Sequence, residues 1–365
     1  MASLDVFRGI TIALMIVVNN PGGDVSYPAL QHADWNGWTL ADLVFPFFLF
    51  IVGVAIPFSL GNRIARGESR RKVLLRVVRR SIVLFVLGLF LNGFPYYDLS
   101  TLRIMGVLQR IALCYFFASL IFLTFKVRKQ AMIAVLISLS YWAIMTLIPV
   151  PGYGAGVLGK QGNLASYVDN LLLGRQHLWE GSKTWGDPEG LLSTIPAVAT
   201  TLLGVLAGKH LKSNRSPLEK ATYFFFLGNV GIVVGSLWNL WFPINKSLWT
   251  SSYVAVTGGI SFIFLATCYY VIDVKKHMTW TKPFIILGTN AITIYVLSEI
   301  VSFAAYAKVT LKDGTTIALK TFVYRDYFAS WAGPLNGSLF YALAYLVLWI
   351  AVAAILYKSR IFIKV

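Results

Sequence analysis

The sequence predicts an all-α fold, a polytopic bundle of about ten transmembrane helices forming a single domain over residues 1–365. Three observations predict it. The chain is 57% hydrophobic and only 13% charged, whereas a soluble domain carries about a quarter charged residues. Too little polar surface is left to face water, so lipid is the expected solvent. The apolar residues fall in blocks of about 20, the length a helix needs to cross a bilayer. Finally, Lys and Arg concentrate in alternate connections, as they do when one side of a membrane protein faces the cytoplasm.

The blocks read as spans at 4–20, 39–60, 76–93, 104–124, 131–148, 190–208, 220–240, 250–272, 283–303 and 338–357. Segment 315–332 is amphipathic and aromatic, and reads as a lumen-side or re-entrant element or an eleventh span. The connection 61–80 holds Arg63, Arg66, Arg70, Arg71, Lys72, Arg76, Arg79 and Arg80 against Glu68 alone. The even-numbered connections that follow carry Lys126, Arg128 and Lys129, then Lys209, Lys212, Arg215 and Lys220, then Lys275, Lys276 and Lys282. The tail carries Lys358, Arg360 and Lys364, and loop 21–38 has no Lys or Arg. Both termini are therefore expected in the cytoplasm and loop 21–38 outside. This distribution also accounts for the net charge of +17 without a nucleic-acid partner. Cys114 and Cys268 fall inside apolar spans with no metal-binding spacing. The first apolar run lacks a small-residue cleavage site, so no cleavable signal is expected. Loop 149–189, rich in Gly and Trp, is the longest outer connection, and loops of that length are often functional.

The densest polar chemistry lies at Asn19, Asn20, Asp24, His32, Asp34, Asn36 and Asp42. Histidine is the usual proton-transfer group near neutral pH. Asp42 follows His32 by ten residues, near the start of the second span. A carboxylate at the bilayer boundary is costly unless it is paired or functional. It can fix the imidazole tautomer as the carboxylate of a triad does; a loop histidine beside a helix-capping aspartate fits the same residues. In the first span Asp5, Arg8 and Asn19 form a polar stripe within about 60°, which sets that helix against protein or water. Within later spans lie Gln109, Arg110, Asn290 and Glu299. An intramembrane arginine suits an anionic ligand or a helix-locking ion pair. Asn290 suits an interhelical hydrogen bond. Asp187 and Glu189 precede the sixth span, where they suit an amino sugar or a helix N-terminus.

Several stretches resemble one family. Ser3-Leu4-Asp5-Val6-Phe7-Arg8-Gly9, the run from His32 through Trp35, Trp38 and Asp42 to Pro46, and Gly106-Val107-Leu108-Gln109-Arg110-Ile111 are similar to motifs of the heparan-α-glucosaminide N-acetyltransferases. So are Asp187-Pro188-Glu189-Gly190, Phe242 through Trp249, and Pro283 through Asn290. The matches run in order from the start to the ninth span. The resemblance implies a transmembrane enzyme of the cell (inner) membrane, a homodimer, that takes acetyl from cytosolic acetyl-CoA without a metal. The acceptor would be an amino sugar or glycan on the exoplasmic side, a cell-envelope glycan being more in keeping than heparan sulfate. It implies catalytic roles for His32, Asp42 and Asn19, with Asn20 competing for the last. It makes Arg8, Gln109, Arg110 and Asn290 candidates for cofactor binding, and Asp187, Glu189 and Lys246 candidates for the acceptor. The rival reading is a secondary transporter or channel, which usually carries repeated halves with broken helices at matching positions; a non-catalytic partner of an envelope complex is a third.

Overall fold

The computed structural model describes residues 1–179, 181, 186–310 and 315–362. Lys364 and part of loop 149–189 lie outside the described residues. The chain forms two compact units. The first comprises residues 1–33, 38–44 and 271–365, the second residues 34–37 and 45–270. Among the described residues eight helices are long and apolar enough to cross a membrane, and nine if one bent pair counts as a span.

The second unit contains most of α2 (Leu40–Ala65) and all of α3 (Arg70–Gly93), α4 (Val107–Thr124), α5 (Val127–Leu147), α6 (Leu164–Leu173), α7 (Leu191–Leu211), α8 (Pro217–Trp238) and α9 (Ser251–Cys268). Local chemistry sets the helix starts. Ser69 caps α3 by accepting from the Lys72 N–H. Ser216 and Glu219 form a reciprocal capping box on α8, with Pro217 at the first helical position. Pro46 and Pro57 sit inside α2, tolerated where neighbouring helices satisfy the freed carbonyls. A Cβ at Gly53 would overlap the Thr201 carbonyl, and one at Gly204 the Phe50 carbonyl, so α2 and α7 touch backbone to backbone, as small residues allow in membrane bundles. The predicted third span lies in α3, but Arg76, Arg79 and Arg80 fall within its last eighteen residues, and α3 is not among the eight. Helix α6 is a finding within the long loop, where no apolar run was expected. Its Asn163 cap accepts from the Ser166 N–H, and Leu164 and Ala165 join a core with Tyr141, Met145, Phe242 and Leu248.

The first unit contains α1 (Ala2–Asn19), α10 (Lys282–Thr289), α11 (Ala291–Ala304), the hairpin β1 (Lys308–Thr310) and β2 (Thr316–Ala318), α12 (Leu319–Tyr324) and α13 (Ser330–Lys358). Here one expectation is corrected. The ninth span is not one helix: α10 and α11 meet at 82°. Asn290 leaves helical geometry between them and donates from Nδ2 to the Ile361 carbonyl at 3.0 Å. Both arms are apolar, so hydropathy could not show the bend. Segment 315–332 is not a single helix. It begins as a strand of the antiparallel hairpin and continues through α12 and a π-turn into α13, whose kink is at Gly333 with φ 75°. The α1 stripe faces protein as expected. Arg8 donates to the Gly288 carbonyl at 3.2 Å, and Asn19 to Glu299 at 3.4 Å. Gly9 makes the approach of α1 to α10 possible, since a Cβ there would overlap the Phe284 carbonyl.

Candidate functional site

In the first unit, the loop after α1 brings His32 and Asp42 together. His32 Nδ1 lies 2.7 Å from Asp42 Oδ1. The other carboxylate oxygen accepts from the N–H groups of Ala33 and Thr39, both at 3.0 Å, and from the Thr39 hydroxyl at 3.3 Å. Asp42 stands in the first turn of α2, where a negative charge is favoured by the helix dipole. Its side chain is 1% exposed, while that of His32 is 48% exposed. A buried, fully coordinated carboxylate therefore holds an imidazole that reaches solvent. An ionised carboxylate only accepts, so Nδ1 carries the proton and the lone pair of the neutral ring sits on Nε2. That is the tautomer a general base or nucleophile requires.

The intervening residues 34–37 belong to the second unit and are pinned there. Asn245 Nδ2 donates to the Trp35 carbonyl at 2.8 Å and to Asn36 Oδ1 at 3.2 Å. Gly37 N donates to the Ile244 carbonyl, Trp35 Nε1 to the Leu158 carbonyl, and Lys160 pairs with Asp34. The motif residues around Asn245 thus hold the tryptophan-rich part of the loop.

The other predicted residues separate into groups. In the first unit Asn19 is joined to Glu299 and Arg8 to Asp5 and Gly288. Asn20 is buried and donates back to the Ile16 carbonyl of its own helix. Asn290 ties the α10–α11 break to Ile361. In the second unit Arg110 is fully buried on α4. It donates to Ser193, to the Thr194 hydroxyl and to the Gly190 carbonyl, and stacks over the Trp249 ring at 4.9 Å. Arg110 Nη1 and both polar atoms of Gln109 are buried without a partner among the described residues.

Asp187 and Glu189 are drawn together by a residue the sequence reading missed, Arg103. Its Nε and Nη2 grip the Asp187 carboxylate at 2.8 and 2.6 Å, and Nη2 also reaches Glu189 at 2.6 Å. Asp187 accepts two N–H groups besides, from Trp179 and Glu189. Burial disfavours the charge on Glu189, but Arg103, Arg110 and Lys246 outweigh it and hold the carboxyl below its ordinary value. Burial likewise opposes the Arg103 charge, and its two carboxylates raise it above the ordinary arginine value. The available signal was two carboxylates two residues apart in the loop before α7, which need a cation once buried. The carboxyl that caps the α7 N-terminus belongs to another residue, Asp169, which accepts the Leu191 N–H at 2.9 Å.

Burial, reinforced by nearby Asp187 and opposed by the Leu191 N–H, pushes Asp169 from 3.8 up to about 7. The folded state then holds a proton that the unfolded chain has released, so this group's contribution to stability falls as pH rises from about 4 to about 7. At about 1.4 kcal/mol per unit, the whole shift is worth a few kcal/mol. Compared with Asp169→Asn, the unsubstituted protein is expected to lose thermal stability progressively between about pH 4 and 7. Melting curves in detergent that shift in parallel for both proteins would refute the assignment.

The two units define an integral membrane protein, helical and multi-pass, whose first polar loop presents an imidazole backed by a buried carboxylate. The sequence profile described as heparan-alpha-glucosaminide N-acetyltransferase, catalytic, matches residues 1–235. The heparan-alpha-glucosaminide N-acetyltransferase of Homo sapiens is 32% identical over 416 aligned positions, covering 100% of this chain and 59% of that protein. Its Mus musculus counterpart is 32% identical over 99% of this chain and 60% of its own length. The chain belongs to this family, and it spans about three-fifths of the length of these curated relatives.

Proposed function

We propose that the protein is a membrane acetyltransferase that passes the acetyl group of acetyl-CoA to the amine of an amino sugar or glycan across the bilayer, with His32 as the reacting base. The observation that carries this reading is the 2.7 Å contact between His32 and the buried Asp42, together with the catalytic name of the matching family. The acceptor amine attacks the thioester carbonyl, His32 Nε2 takes the amine proton, and the CoA thiolate leaves and recovers that proton. A two-step route through an acetyl-imidazole balances equally well, with His32 as the nucleophile. Asp42 stabilises the imidazolium in the direct route, and Asn19 is the proposed donor to the oxyanion.

Arg8, 28% exposed near the inner end of α1, suits the CoA phosphates. Gln109, Arg110 and Asn290 are the other residues proposed to contact acetyl-CoA. Unpartnered buried polar atoms on the first two residues support this, because leaving such atoms unsatisfied costs about 1–3 kcal/mol each. For the acceptor we propose Glu189 and Lys246. Asp187 is the weaker candidate, since its oxygens are already taken by Arg103 and two N–H groups. The proposed assembly is a homodimer in the cell (inner) membrane. A transporter would show broken helices at matching positions. The described residues contain one bent pair, α10–α11.

The test is incubation of purified protein with radiolabelled acetyl-CoA and a panel of amino sugars, read as acetylated product. No transfer to any amine, with acetyl-CoA left intact, would remove the enzyme reading. Counting α3 and the bent pair as spans gives ten crossings, and the alternating Lys and Arg supports our proposal that His32 faces outward and the basic loops face the cytoplasm. Asp34→Cys is expected to react with an impermeant thiol reagent in intact cells and Arg71→Cys to stay protected. Labelling at 71 but not at 34 would invert the topology.

A further inference from the structure

The second unit contains a cleft that the acetyl-transfer reading does not use. It has a volume of about 750 Å³ and runs between α5 and α8 over a floor of α7 and α9. Ala131 and Val135 line one wall and Val230 and Val234 the other, with Leu203 and Gly258 on the floor. The serine hydroxyls in the lining are satisfied within the protein: Ser138 donates to the Ala134 carbonyl, Ser251 to the Ser138 carbonyl and Ser213 to the His210 carbonyl. The cleft therefore offers hydrocarbon contacts along its length.

Its dimensions limit what can fill it. From Tyr223 to Trp238 along α8 the lining extends about 22 Å. Dividing the volume by that length gives a mean cross-section of about 35 Å². An acyl chain fits this width, and the length exceeds the roughly 15 Å of one leaflet's hydrocarbon.

One end of the cleft is basic. Lys209, His210 and Ser213 line it beside Tyr223. Lys209 Nζ lies over the Phe122 ring at 4.8 Å, and the His210 ring stacks on Tyr223 at 4.1 Å. His210 Nε2 is buried without a partner among the described residues. The adjoining chain adds Arg128, Lys129, Arg215 and Lys220. Glu219 is the one acidic residue in 209–220, and it is engaged in the capping box with Ser216. Basic pockets between membrane helices are where anionic headgroups bind.

We infer that this cleft is a lipid site: it takes an acyl chain of a membrane phospholipid and holds the anionic phosphate headgroup at Lys209 and His210. The test uses the full chain reconstituted in phosphatidylcholine vesicles doped with phosphatidylglycerol carrying a photoreactive acyl chain, or with a photoreactive phosphatidylcholine. Cross-links are mapped by mass spectrometry. The expected result is labelling of α5 and α8 residues facing the cleft, stronger with the phosphatidylglycerol probe. Lys209→Gln with His210→Gln should lower that labelling about fivefold or more while sparing the phosphatidylcholine signal. Val234→Trp, at a wall position 46% exposed, should block both probes without disturbing the core. Equal labelling by both probes, unchanged by the double substitution, would overturn the headgroup site. Labelling indifferent to Val234→Trp would overturn the cleft as the chain's seat. Loss of self-association in Val234→Trp, with no lipid label in the unsubstituted protein, would assign the cleft to a second copy of the chain instead.

Discussion

Replacing His32 with alanine is expected to abolish acetyl transfer while leaving the protein folded. The side chain is 48% exposed, so its removal opens no apolar cavity. The loss is a transition-state effect of about 10²–10⁴-fold for a general base, and more if an acetyl-imidazole forms. Asp42→Asn is expected to impair turnover by another route. The amide oxygen can still accept from Ala33 and Thr39, but its NH₂ group then faces Nδ1, which favours the opposite tautomer and moves the lone pair away from Nε2. Neither residue is assigned to the CoA phosphates, so both variants should retain acetyl-CoA affinity. The measurement is turnover with the best acceptor, beside thermal stability with and without acetyl-CoA. Near-native turnover in His32→Ala would end the catalytic reading of this loop and put the transporter reading ahead.

The second large effect is on stability. Arg103→Ala is expected to destabilise the protein by about 3–5 kcal/mol, the usual result of removing one partner from a buried ion pair. Asp187 is 3% exposed and Glu189 9%, so water cannot replace the guanidinium. Arg103→Lys should recover part of the loss, because the charge returns without the two-pronged grip on Asp187. Adding Glu189→Gln to Arg103→Ala should recover a further part by removing one stranded charge. Thermal unfolding in detergent measures all three. A change in Arg103→Ala no larger than that of an ordinary surface substitution, within about 0.5 kcal/mol, would show that this ionic cluster does not hold these loops together.

The membrane class and most helix positions were legible because hydropathy acts over whole segments. Blocks of apolar residues became α1, α2, α4, α5, α7, α8, α9 and α13 with shifted ends. The His32–Asp42 pair was legible for a local reason. Ten residues link a loop histidine to the first turn of a helix, and a carboxylate there needs a partner. The link from Arg103 to Asp187 was not legible, because 84 residues separate the pair and only the folded topology brings them together. Asp169 was hidden in the same way: its role depends on α6, a ten-residue helix too short to register as a span, meeting the start of α7. The break at Asn290 was invisible because both flanking arms are apolar. The sequence supplied Asn290 as a polar residue at membrane depth, but not the Ile361 carbonyl that engages it.

The first unit is built from the two ends of the chain, and this has a consequence for biosynthesis. The contact between Arg8 and the Gly288 carbonyl spans 280 residues. At the usual rate of about 5–20 residues per second, α1 leaves the ribosome on the order of 15–60 s before α10 exists. During that interval α1, with Asp5 and Arg8 near one end, lacks the partner that covers its polar stripe. The second unit, apart from residues 34–37, is continuous from Phe45 to Tyr270, so it can assemble while α1 waits. Closure then waits for the segment after α13, since the Ile361 carbonyl that accepts from Asn290 emerges only after α13. A ribosome stalled before that point would hold a nascent chain with its histidine loop already synthesised and the corner between α10 and α11 still untied.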